Sequence, residues 1–137
     1  MGLCHKLILM MSYKIDFSAL TKAVESLEDI HRQEMDVYRR DGAIQRFEYT
    51  FELMWKMMQR ILKMQGIEVG SPKQVFRAAL KIGLIDDLNL WFGFLEKRNL
   101  TTHTYNEDQA EDVFEASKNF LEVAKKTLIR LKQESEK

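Results

Sequence analysis

Proline occurs once in these 137 residues, at Pro72, and glycine only six times. Sheets need tight turns, and tight turns draw on both residues, so this scarcity favours a few long helices over sandwiches, barrels or doubly wound sheets. The hydrophobic pattern agrees. Phe17, Leu20, Val24, Leu27, Ile30 and His31 recur at three- and four-residue steps, which is one helical stripe. It predicts a first helix from Asp16 to about Tyr38, broken at Arg39-Arg40-Asp41-Gly42. A second stripe, Ile44, Phe47, Phe51, Met54, Trp55, Met58 and Leu62, predicts a helix from Asp41 to Gln65. Asp41 is its expected N-cap, and Gly66 its left-handed terminator. Four of the eight methionines lie in it, as adaptable core filler.

Later punctuation is sharper. Ser71-Pro72-Lys73-Gln74 places a capping serine, a proline where its missing N–H is harmless, and a glutamine that can reach back. Val75, Phe76, Ala79 and Leu80 form the face of this short helix, which Gly83 ends. Asp86-Asp87 opens a further helix carrying Leu88, Trp91, Leu95 and Arg98, its acids suited to the dipole. Asn106 to Gln109 is another capping box, followed by a stripe from Ala110 to Leu131. No segment alternates at period two long enough for a strand. The expected fold is all-α: an up-and-down four-helix bundle with an extra short helix in a connection.

The length fits one domain, and 45% hydrophobic residues suffice for a core. Cys4 is the only cysteine, which excludes an internal disulfide framework and a multi-cysteine zinc site. The apolar run after Lys6 is too short to span a bilayer, and no cleavage pattern follows it. Gly2 lacks the Ser or Thr at position 6 that myristoylation wants. Residues 1–11 therefore read as an appendage or an early start, residues 12–137 as the domain, and the location as cytoplasmic. Twenty-one basic residues balance twenty-one acidic ones. That excludes a chain coating nucleic acid over its whole surface, but not a local site. The stretch Ser71–Tyr105 holds five basic and three acidic residues, so it is mildly positive.

Gly-rich phosphate loops, paired-histidine zinc motifs and nucleophile elbows are all missing. A site must then use His, Arg, Tyr and carboxylates, which concentrate in Lys97-Arg98-Asn99-Leu100-Thr101-Thr102-His103-Thr104-Tyr105-Asn106. Composition alone favours a polar helix terminus, with His103 capping carbonyls and Tyr105 covering the core edge. Chemistry suggests an alternative. Arginine stabilises charge on a phosphorane, and histidine shuttles a proton near neutrality. RNA carries its own 2′-hydroxyl nucleophile, so no metal or other cofactor is required. Five residues separate Arg98 from His103, about 140° on an ideal helix. The two share a site only if the helix ends between them, or if a second copy completes it across a two-fold axis.

In this segment the sequence resembles the HEPN superfamily (higher eukaryotes and prokaryotes nucleotide-binding), and within it the HepT-like nucleotidyltransferase substrate-binding proteins. The superfamily motif, Arg, four to six residues, then His, matches Arg98-Asn99-Leu100-Thr101-Thr102-His103. The HepT extension matches Thr104-Tyr105. Gly42-Ala43-Ile44-Gln45-Arg46-Phe47-Glu48-Tyr49, Phe51-Glu52-Leu53 and Gly83-Leu84-Ile85-Asp86-Asp87 extend the similarity over most of Ser12–Leu131. The resemblance implies a homodimer with motif residues facing a shared cleft. It also implies a metal-independent ribonuclease toxin, and a minimal nucleotidyltransferase antitoxin that neutralises it by moving AMP onto the motif tyrosine. Carried over, Arg98 and His103 are the catalytic pair, Asn99 a supporting polar group and Tyr105 the modification site. Glu48 and Thr102 are candidates for holding these groups in place. The competing reading is a non-catalytic partner that binds a nucleotidyltransferase and presents nucleotide or phosphate.

Other features have plainer readings. Lys73, Arg77 and Lys81 line one helix face, and Lys56, Arg60 and Lys63 another; both read as solvated faces, with phosphate tracking as the alternative. Glu52 reads as a surface partner of Lys56, His31 as a core or interface histidine, and Trp55 and Trp91 as core or dimer contacts.

Overall fold

The computed structural model describes residues 14–101 and 106–137. Among the described residues five helices form in the order α1 (Ser18–His31), α2 (Val37–Met64), α3 (Pro72–Lys81), α4 (Leu88–Leu100) and α5 (Glu107–Ser135). The described residues contain no strand. Four longer helices build the bundle and α3, with ten residues, lies in the connection between α2 and α4.

The sequence cues for α3 and α5 act as expected. The Ser71 hydroxyl accepts from the Gln74 N–H while the Gln74 side chain reaches back, with Pro72 in the first turn. Asn106 and Gln109 form the same reciprocal pair. Gly66 and Gly83 both take positive φ, +80° and +82°, just beyond the ends of α2 and α3. Asp87 caps α4 by accepting from the Leu90 N–H at 3.1 Å.

The first break differs from expectation. α1 stops at His31, and the turn before α2 falls at residues 32–36 rather than 39–42. Asp36, not Asp41, is the N-cap; its Oδ1 accepts from the Arg39 N–H at 2.7 Å. Gly42 lies inside α2 for a packing reason. A Cβ there would stand 2.8 Å from Ile30 Cδ1, so the glycine lets α1 and α2 approach closely. The adjoining polar groups serve the same seam: Arg46 Nε and the Tyr49 hydroxyl both donate to Ser26 Oγ.

α2 and α5 form the spine. An aromatic cluster fills the space between them and the α3–α4 layer. Phe120 meets Phe47 at 5.3 Å and Phe94 at 5.2 Å, and Trp91 meets Phe76 at 5.3 Å between ring centroids. Trp91 is fully buried in the core. His31 bridges α1 to α5: its Nε2 lies 3.0 Å from Ser117 Oγ. The Ser117 hydroxyl proton is already directed to the Phe114 carbonyl at 2.6 Å, so Nε2 carries the proton and donates. Among the described residues no helix is long and apolar enough to cross a membrane.

Candidate functional site

The motif segment joins the C-terminal end of α4 to the N-terminal end of α5, which gives it two fixed anchors. Thr102, His103 and Tyr105 lie outside the described residues. Arg98 and Asn99 occupy the last turn of α4, where a cation also suits the helix dipole. Thr101 closes that turn: its backbone N–H and its hydroxyl both donate to the Arg98 carbonyl, at 3.1 and 2.6 Å.

The Arg98 guanidinium faces α2. Its Nε lies 2.9 Å from Glu52 Oε1, with 23% of the arginine side chain and 30% of the glutamate exposed. Nε is shielded from solvent yet makes no directed hydrogen bond. The contact is thus an ion pair whose N–H does not point along the N···O line. Glu52 has two further neighbours. The Trp55 indole N–H donates to its Oε2 at 3.2 Å, and Lys56 Nζ stands 3.8 Å away. The expected Glu52–Lys56 pair exists, but it is the longer contact. Glu48 sits half-buried one turn earlier on α2.

A second arginine holds the other anchor. Arg40, only 7% exposed, grips Glu107 through both oxygens, at 2.6 and 3.1 Å. It also donates to Glu111 at 3.1 Å and to Asp41 at 3.3 and 3.4 Å. Glu107 is the first residue of α5, so α2 is tied directly to the helix start that follows the motif. Donation to Glu107, then to Glu111, holds the Arg40 pKa above its ordinary range despite desolvation. The same bond from Arg40 lowers the Glu107 carboxyl.

Sequence reasoning missed both carboxylate partnerships. Arg40 carried a signal: it stands four and seven residues before Ile44 and Phe47, on the apolar stripe of α2, where a cation needs buried partners. The Glu52–Arg98 pair spans α2 and α4, and no local spacing announces it. Trp55 is half-buried and belongs to the Glu52 cluster. Lys56, Arg60, Lys63, Lys73, Arg77 and Lys81 are all exposed, as a solvated face requires. Two of them also sit over an aromatic ring: Lys73 Nζ and the Arg77 guanidinium carbon are 5.7 and 5.3 Å from the Phe92 centroid. Among the described residues no group of three or more His, Cys, Asp or Glu side chains is arranged to hold a metal ion.

Comparison with known proteins bears on this arrangement. Residues 11–133 match the family described as nucleotidyltransferase substrate binding protein like. The chain belongs to that family. A curated relative from Haemophilus influenzae, named probable ribonuclease HepT, is 33% identical over 144 residues, covering 93% of this chain and 99% of its own. A crystal structure from Thermus thermophilus superimposes with a TM-score of 0.76 at 40% identity, over 82% of this chain and 98% of that one. A Haemophilus influenzae structure, described as revealing the fold of a substrate binding domain of a nucleotidyltransferase, gives 0.77 at 31% identity, over 86% and 100%. The HepT-like resemblance and the all-helical bundle expected from the sequence therefore both stand.

Proposed function

We propose that this chain is a metal-independent endoribonuclease, the toxin of a pair whose antitoxin is a minimal nucleotidyltransferase. The single supporting observation is the place of Arg98. It stands in the last turn of α4, steadied by Glu52, five residues before His103. The family membership and the relative named probable ribonuclease HepT point the same way.

In this reading the 2′-hydroxyl of the RNA attacks the adjacent phosphorus and the 5′-oxygen leaves, giving a 2′,3′-cyclic phosphate and a 5′-hydroxyl end. His103 takes the proton from the 2′-hydroxyl. The histidine of a second copy delivers a proton to the leaving oxygen, and Arg98 stabilises charge on the phosphorus centre. Asn99 supports the polar wall, while Thr102 and Glu48 help position the pair. The nucleotidyltransferase then transfers AMP from ATP to the Tyr105 hydroxyl, releasing pyrophosphate. The added bulk and negative charge, two residues from His103, block the site and repel RNA phosphates.

The test is direct. Purified wild type cuts single-stranded RNA in the presence of a chelator, and His103→Ala does not. Full activity in His103→Ala overturns the reading. Incubation with the nucleotidyltransferase and ATP adds AMP mass to wild type and not to Tyr105→Phe. Equal gain in both removes Tyr105 from the scheme. A second reading, a non-catalytic nucleotidyltransferase partner that binds nucleotide or phosphate, is favoured by the description of the Haemophilus influenzae structure. Wild type without cleavage activity, but with nucleotide affinity that disappears in Arg98→Ala, selects it.

A further inference from the structure

A cavity of about 370 Å³ opens between α3 and α4, with Lys73, Asn89, Phe92, Gly93 and Glu96 on its walls and Asn99 at one end. Asn89, Phe92, Gly93, Glu96 and Asn99 form one stripe along α4, about 15 Å long at the usual rise per residue. The stripe ends at Asn99, in the last turn of α4. Its chemistry suits a planar ring that carries an anionic group. Phe92 supplies a half-buried ring, and Lys73 and Arg77 gather at 5.7 and 5.3 Å from it. Neither cation has an ion pair with a described carboxylate. Gly93 keeps the space open: a Cβ there meets no heavy atom within 4 Å.

We propose that this α3–α4 cavity holds one nucleotide of single-stranded RNA, Lys73 and Arg77 moving off the Phe92 ring to pair with its phosphate while the base stacks there. The assignment rests on the ribonuclease reading. Stacking on an aromatic ring with a cation for the backbone is the general device for binding single strands without sequence preference. Glu96, exposed on the wall, accepts a hydrogen bond from a ribose hydroxyl or a base amino group.

Gly93 supplies a test that a structural role cannot imitate. It sits within α4 and does not take positive φ, so Gly93→Leu improves helix propensity while filling the cavity. The experiment measures fluorescence anisotropy with a labelled random 12-nucleotide 2′-O-methyl RNA, which lacks the free nucleophile. Cleavage of the unmodified RNA is followed in parallel. Gly93→Leu, Phe92→Leu and Lys73→Ala each weaken binding about tenfold, the worth of a stacked base or its phosphate contact. Lys73→Ala also lowers the salt-dependence slope by about 0.7. Gly93→Leu keeps or raises Tm. Wild-type affinity in Gly93→Leu overturns the cavity assignment, and unchanged cleavage there leaves the ribonuclease reading standing. Weakened binding in all three variants, with no cleavage by wild type, supports the cavity and overturns the ribonuclease reading. A wild type that neither binds nor cuts overturns both.

Discussion

Two arginines flank the motif segment, and they are used differently. Arg40 makes five hydrogen bonds, to Glu107, Glu111 and Asp41, and is nearly buried. Arg98 has a single ion pair among the described residues, and its Nε makes no directed bond. The first is spent on the fold, fixing the start of α5 against α2. The second is held in place by Glu52, with no further ion pair among the described residues. A planar guanidinium is suited to a phosphate. Residue type alone does not separate the two; the number of directed bonds each makes among the described residues does.

The widest gap should appear on replacing each arginine. Arg98→Ala is expected to lower RNA cleavage about 10²–10³-fold, the usual cost of one preorganised charge stabiliser. Its Tm stays near wild type. A cleavage loss matched by an equal loss in Arg40→Met would erase the distinction. Arg40→Met should instead cost about 2 kcal/mol in urea unfolding, the scale of hydrogen bonds to charged groups. The loss stays moderate because Glu107 and Glu111, 76% and 59% exposed, regain water.

Glu52→Gln sharpens the comparison from the carboxylate side. It keeps the shape but removes the charge that steadies Arg98, so kcat should fall about tenfold, the worth of one charge-assisted contact. Stability should move by less than about 1 kcal/mol, as for partly exposed pairs. Unfolding on the scale of Arg40→Met would place Glu52 in the fold rather than at the site.

The smallest effect concerns His31, the last residue of α1, which packs on α5. Desolvation first, and the nearby Lys118 charge second, hold its pKa below 6.5. The unfolded chain therefore binds a proton there more readily than the folded one. The stability it contributes is present above pH 6.5 and is lost as pH falls through its lower folded value. His31→Gln should flatten the wild-type decline in urea-unfolding stability over that window. An unchanged slope removes His31 from the pH response.

Much of the bundle was legible because its signals are local. A capping box is a contact between residues three apart, so Ser71–Gln74 and Asn106–Gln109 could be read directly. Gly66 and Gly83 end helices because only glycine takes the left-handed conformation without strain. The α1–α2 boundary was not legible, because Gly42 looks like a breaker until Ile30 of another helix is packed against it. Asp41 likewise looks like a cap until Arg40 is seen to engage it.

The sequence by itself determined the helical class, the order of the helices, the end of α2, the punctuation of α3 to α5, and the residues of the motif, since all of these follow from spacing along the chain. Tertiary structure alone decided which carboxylates face the two arginines. It also decided that Phe92 lies under Lys73 and Arg77, and that an open cavity leads toward Asn99. Those contacts join different helices, such as α2 to α5 and α2 to α4, and the packing of helix faces, not spacing along one helix, sets which residues meet.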